Sequence, residues 1–129
     1  MRVLLDTNAY TALFRGHEAV AERVRRAEHV FMSTIVVGEL FFGFRNGSHY
    51  EANRRDLQEF LENAYVTLLP VTLITSDRFG RIAAALRRKG RPIPTNDIWI
   101  AAHAMESGSE LLSFDRHFDE VDGIAWTEP

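Results

Sequence analysis

A single α/β domain with a parallel sheet is the fold class that this sequence predicts, on three observations. Short apolar runs recur along the chain, each bounded by turn or capping residues. Longer segments between them carry apolar residues at helical spacing. No linker, internal repeat or low-complexity segment interrupts residues 1–129. Short apolar strands alternating with helices indicate a parallel sheet covered on both faces.

Residues 2–5 read as the first strand, a short buried one. Asp6-Thr7-Asn8 then breaks the run and can cap a helix over residues 9–14. A polar helix follows at 17–28, and its Arg23, Arg25 and Arg26 read as a solvated face. His29-Val30-Phe31-Met32 forms the second strand. Ser33-Thr34 opens an apolar helix over 35–45. The next helix, 49–63, sets Leu57, Phe60, Leu61 and Ala64 on one face. Tyr65-Val66-Thr67-Leu68-Leu69 is the third strand, stopped by Pro70. Phe79, Ile82, Ala83 and Leu86 mark a helix that Gly90 ends, and Arg91-Pro92-Ile93-Pro94 is a stiff loop. Ile98, Ala101, Ala102 and Met105 mark the last helix, closed by Gly108. Glu110–Ser113 is the fourth strand, and Ile124-Ala125-Trp126 a short fifth.

Composition narrows the function. The chain has no cysteine, hence no disulfide and no thiolate metal site. No apolar stretch approaches a membrane span, and Met1–Asp6 turns polar too early for a signal peptide. A cytoplasmic protein is expected. The net charge of −3 points to no partner class. All the basic residues except Lys89 are arginines, which match codon bias and phosphate recognition equally well.

Four carboxylates stand where packing gives a charge no reason to be. Asp6 follows Val3-Leu4-Leu5, and Glu39 lies within Ile35–Phe42. Asp97 precedes Ile98-Trp99-Ile100-Ala101-Ala102, and Asp115 follows Leu111-Leu112-Ser113-Phe114. Acids are rarely buried unless paired or metal-bound. In open parallel sheets, ligands bind beyond the carboxyl ends of the strands, where strand order reverses. A strand order of 3-2-1-4-5 makes the first and fourth strands neighbours and brings Asp6 and Asp115 together. Glu39 arrives on the helix after the second strand, and Asp97 in the first turn of the helix before the fourth. Two like charges about 4 Å apart cost on the order of 4 kcal/mol at an effective dielectric near 20, so the cluster needs protons or a cation. Oxygen ligands favour Mg²⁺ or Mn²⁺. His17, His29, His49, His103 and His117 show no paired spacing and read as surface or hydrogen-bonding residues.

Asp6-Thr7-Asn8, Gly38-Glu39-Leu40, Asn96–Ala102 and Leu112–Phe118 together resemble the PIN-domain nucleases, and more closely the VapC-type toxin ribonucleases of type II toxin–antitoxin systems. The resemblance runs over nearly the whole length, as one PIN domain at 1–129. It implies a Mg²⁺- or Mn²⁺-dependent endoribonuclease that hydrolyses RNA phosphodiester bonds by metal-activated water and is neutralised by a cognate antitoxin. It also implies a homodimer. Asp6, Glu39, Asp97 and Asp115 match the family's acidic positions. Asp6 and Asp115 are expected as direct ligands, Asp97 as a ligand or the partner of a second metal, and Glu39 as a contact to the attacking water. Ser113 is expected to orient the metal shell, Asn8 to make a polar site contact, and Arg116 to hold substrate phosphate. Phe114 departs from the family's usual polar residue. Asp119 is expected at the surface.

The basic run Arg87–Arg91 reads as a solvated helix end or an RNA contact. Of Phe41, Phe42 and Phe44, two are expected in the core and the third at a groove or antitoxin interface. Trp99 is expected in the core or at a dimer contact. Rival classes fit less well. A phosphoacceptor receiver needs an Asp where Leu69-Pro70-Val71 stands, and a haloacid-dehalogenase-type phosphatase needs an Asp in place of Asn8. A flap nuclease needs a larger chain. The alternative from another class is a noncatalytic RNA-binding or RNA-processing PIN module outside a toxin–antitoxin pair.

Overall fold

The computed structural model describes residues 1–129. Five strands, β1 (Arg2–Leu5), β2 (His29–Ser33), β3 (Val66–Leu69), β4 (Glu110–Leu112) and β5 (Ala125–Thr127), form one sheet of order β3-β2-β1-β4-β5. Every pairing is parallel. The expected order therefore holds, and β1 and β4 lie side by side with Leu5 opposite Leu112. Val3, Leu4 and Leu5 are completely buried, because the central strand has helices over both of its faces.

The connections run through α1 (Thr7–Phe14) and α2 (Glu18–Arg26), then α3 (Thr34–Arg45) and α4 (Tyr50–Leu61), then α5 (Leu73–Lys89) and α6 (Thr95–Ser107). Right-handed crossovers place α1–α4 on one face of the sheet and α5–α6 on the other, since the chain steps outward from β1 to β3 and then returns to β4. A 3₁₀ turn, Arg116–Glu120, joins β4 to β5. Helix α1 begins two residues earlier than the sequence suggests, because Asp6 itself is the cap and its Oδ1 accepts from the Thr7 amide at 2.8 Å. Helix α2 is shorter than expected at both ends, because His17 is its cap, accepting from the Val20 amide, and Ala27 turns extended after Arg26. Gly90 and Gly108 end α5 and α6 in the left-handed conformation (φ 69° and 64°), which a side chain would resist.

His103 is buried without any exposure and ties three elements together. Its Nε2 lies 3.1 Å from the Pro70 carbonyl and its Nδ1 2.8 Å from Ser33 Oγ. A carbonyl only accepts, so Nε2 carries the hydrogen and Nδ1 accepts from the serine hydroxyl. Burial pushes the pKa of this imidazole down, which keeps it neutral. The hydrogen-bonding reading of this histidine is the right one.

Phe41 and Phe44 pack against the core and against each other, whereas Phe42 is 71% exposed. Trp99 lies against Phe79 with ring centroids 4.1 Å apart, sealing α5 onto α6. A second apolar surface runs from the edge strand β3 into α5, where Leu68, Val71, Leu73 and Ile74 are exposed. No helix is long and apolar enough to cross a membrane.

Candidate active site

All four acids line one open cleft of about 750 Å³ beyond the carboxyl ends of β1 and β4. Asp6 leaves β1 directly into α1, and its amide donates to the Leu112 carbonyl of β4, which locks the two strand ends together. Asp6 is only 4% exposed. Its Oδ2 accepts from Ser113 Oγ at 2.5 Å. Burial raises its pKa against the lowering effect of the Ser113 and Thr7 hydrogen bonds, and the Glu39 and Asp115 charges raise it further.

Ser113 is fully buried beneath the cleft and does two tasks with one oxygen. It donates to Asp6 and accepts from the Asp115 amide at 3.0 Å. Asn8 sits beside it, with Oδ1 accepting from the Phe114 amide at 3.1 Å and Nδ2 3.4 Å from Ser113 Oγ. Trp126 on β5 donates from Nε1 to the Ser113 carbonyl at 3.0 Å. The segment that delivers Asp115 is therefore braced from three sides. Ser113 and Asn8, both singled out in the sequence, join Asp6 to the Asp115 segment, while the brace from Trp126 required the fold to be seen.

Glu39 is carried by α3 and held by two neighbours. Thr7 Oγ1 donates to its Oε1 at 2.5 Å, and Asn96 Nδ2 to its Oε2 at 3.3 Å. Both residues lie inside the motifs that drew attention to Asp6 and Asp97, yet neither stood out, because Thr and Asn are ordinary helix-start residues.

Asp97, in the first turn of α6, is 8% exposed. Its pKa is pushed up to about 7, first by burial, then by the charges of Asp115 and Asp6. His117 leans over this pair, with Nδ1 2.9 Å from Asp115 Oδ1 and 3.4 Å from Asp97 Oδ2. Those carboxylates raise the His117 pKa, mainly through the hydrogen bond and charge of Asp115. Sequence spacing had no means of finding this histidine, because its two partners are on different elements.

Arg116, expected at substrate phosphate, lies outside the cleft. Its side chain is 81% exposed and pairs with Glu128 at 3.1 Å. Arg15 does line it, together with Gly16 and His17, at the turn between α1 and α2. Arg15 also lines an adjoining groove of about 430 Å³ with Tyr10, Phe14, Phe44, Asn53 and Asp56. No carboxylate pairs with it. Arg87 and Arg88 lie outside the cleft at the exposed end of α5, and Asp119 is at the surface.

Four convergent carboxylates, with the pKa values of Asp6 and Asp97 raised, fit a hard divalent cation. The cluster repels itself without one, and oxygen is the donor that Mg²⁺ and Mn²⁺ prefer. The 3-2-1-4-5 sheet with such a cleft at its switch point defines a class of acidic-site α/β domains. The chain belongs to the PIN-domain family, whose model matches residues 3–124. It is 31% identical to Ribonuclease VapC1 of Haemophilus influenzae (strain R2866), over 99% of this chain and 98% of the relative. It is 33% identical to Ribonuclease VapC2 of Haemophilus influenzae (strain ATCC 51907 / DSM 11121 / KW20 / Rd), over 94% and 92%. Among solved structures, VapBC-1 from nontypeable Haemophilus influenzae superposes with a TM-score of 0.86 at 29% identity, over 99% of this chain and 98% of that one.

Proposed function

We propose that this protein is a toxin endoribonuclease of the VapC type, dependent on Mg²⁺ or Mn²⁺ and neutralised by a cognate antitoxin. The observation that carries the reading is the convergence of Asp6, Glu39, Asp97 and Asp115 on one cleft. The names and near full-length similarity of the relatives support it. So does the likeness to VapBC-1.

In this reading Asp6, Asp97 and Asp115 hold the cation, and Ser113 and Asn8 keep the strand ends from shifting under it. The cation, when bound, polarises the scissile phosphate and acidifies water for in-line attack. Glu39, oriented by Thr7 at Oε1 and Asn96 at Oε2, accepts the proton of the attacking water on a lone pair these contacts leave free. Arg15, free of carboxylate partners at the cleft rim, holds an RNA phosphate, in place of the Arg116 contact expected from the sequence. The antitoxin covers the acidic cleft and packs on the exposed Phe42. The protein acts in the cytoplasm as a homodimer, for which the strip at Val71, Leu73 and Ile74 offers a surface.

Purified protein cuts RNA with Mg²⁺ or Mn²⁺ and stops on addition of EDTA, with cutting restored by excess metal. Sequenced RNA ends after brief expression locate the cut. Cutting that persists in EDTA sinks the metal-dependent reading, and RNA binding with no cutting under any metal favours the noncatalytic alternative. Arg15→Ala weakens RNA binding by roughly 10-fold and flattens its salt dependence by about one phosphate contact. Titration of binding against salt concentration checks this, and an unchanged slope removes Arg15 from the role.

A further inference from the structure

We propose that His117 is a direct ligand of the cation held by Asp97 and Asp115, so that this cleft binds Mn²⁺ in preference to Mg²⁺. The inference rests on the metal-site reading above and extends it to a nitrogen donor.

The geometry begins with the 3₁₀ turn. Asp115 caps that turn, with Oδ1 accepting from the His117 backbone amide at 2.9 Å. The same oxygen lies 2.9 Å from the imidazole Nδ1. The cap therefore curls the ring back over the carboxylate that created it. The neighbouring Phe118 is 1% exposed and anchors the turn in the core, so the position of the ring is set by the fold.

The ring is half exposed, and its polar contacts are only these two acids. One potential ligand atom each from Asp97, Asp115 and His117 lie within 4.8 Å of one another. Adjacent ligands of an ion with bonds of about 2.1 Å sit about 3 Å apart. The Nδ1 separations of 2.9 and 3.4 Å match that spacing.

The chemistry of the donor then decides the preference. Mg²⁺ takes oxygen ligands and keeps several waters. Imidazole adds little to Mg²⁺ but binds transition metals increasingly well along the divalent series. Adding one imidazole to the carboxylates therefore biases the site toward Mn²⁺, where the carboxylates alone discriminate less. The competing arrangement is an imidazole that hydrogen-bonds Asp115 and orients it without touching the ion.

Pulsed electron paramagnetic resonance of the Mn²⁺-loaded protein separates the two. The parent shows nitrogen modulation from a coordinated imidazole. His117→Ala and His117→Gln lose it, and Gln retains a side-chain donor for Asp115. His17→Ala keeps it, which excludes the histidine that lines the cleft wall. By titration, Mn²⁺ affinity falls about 10-fold or more in His117→Ala while Mg²⁺ affinity changes little. Mn²⁺ bound without nitrogen modulation, or modulation that survives His117→Ala, overturns the ligand assignment and leaves the metal site standing. Failure of Mn²⁺ to bind the parent overturns the metal site itself, and this assignment with it.

Discussion

Asp6→Ala reduces RNA cutting by at least about 10³-fold while leaving the fold intact. The size of the effect follows from position. Asp6 stands at the junction of β1 and β4, in contact with Ser113 and within the field of Glu39 and Asp115. In the proposed site Asp6 shares the cation with Asp97 and Asp115, so its loss removes a ligand as well as the partner of Ser113. The fold survives because two effects on stability oppose each other. Losing the cap of α1 costs about 1 kcal/mol. Removing a buried carboxylate of raised pKa relieves strain in the metal-free protein. A gel assay with labelled RNA, beside a circular dichroism melt, reads both quantities. Substantial cutting by a well-folded Asp6→Ala protein removes Asp6 from the chemistry.

The second large effect is on stability, and it has a sign. In the metal-free protein the Asp97 carboxyl is held at about 7, against an ordinary value of 3.8 when unfolded. Its ionised form is disfavoured by folding. Stability is then greatest below the lower value, falls as pH rises through the interval between the two, and levels off above the upper one. One pKa unit corresponds to about 1.4 kcal/mol, so the full cost is on the order of 4 kcal/mol. Asp97→Asn removes the charge and the cost together. In EDTA at pH 8 it raises Tm by roughly 10 °C for a domain of this size. At pH 4 the parent is already protonated at Asp97 and the gain nearly vanishes. Added Mn²⁺ stabilises the parent more than the variant, because the variant has lost a ligand. Melting curves at both pH values, with and without Mn²⁺, decide the matter. A gain equal at pH 4 and pH 8 argues against a crowded acidic cleft.

How far each feature was legible depended on the range of the interaction behind it. The strands were readable because apolar runs of four or five residues between breakers have few other uses. Gly90 and Gly108 were readable as helix ends because the left-handed conformation selects glycine locally. The four acids were conspicuous because charge beside Val3-Leu4-Leu5 or Leu111-Leu112 has no local reason to exist. Helix starts at Thr7 and Glu18 were placed less well, since Asp6 and His17 are the caps themselves and not residues before them.

Roles that depend on distant chain segments escaped. Arg116 lies next to Asp115 in sequence, yet the 3₁₀ turn carries its guanidinium away to Glu128. Arg15 is remote in sequence from every acid of the cleft but Asp6, yet the turn after α1 brings it to the cleft rim. Thr7 and Asn96 hold Glu39 from two other helices, and Trp126 holds Ser113 from the edge strand. His117 reads as an ordinary surface histidine until α6 places Asp97 opposite it.

By itself, the sequence determined the element pattern, the PIN resemblance and the identity of the acidic residues, because apolar periodicity, turn chemistry and misplaced charge are properties of neighbouring residues. Only the tertiary structure decided which groups share the cleft, that Arg15 lines it and how far Asp97 is pushed from its ordinary pKa. Those depend on distance and burial, and both are set when the parallel pairing of β1 with β4 brings chain segments more than a hundred residues apart to hydrogen-bonding range.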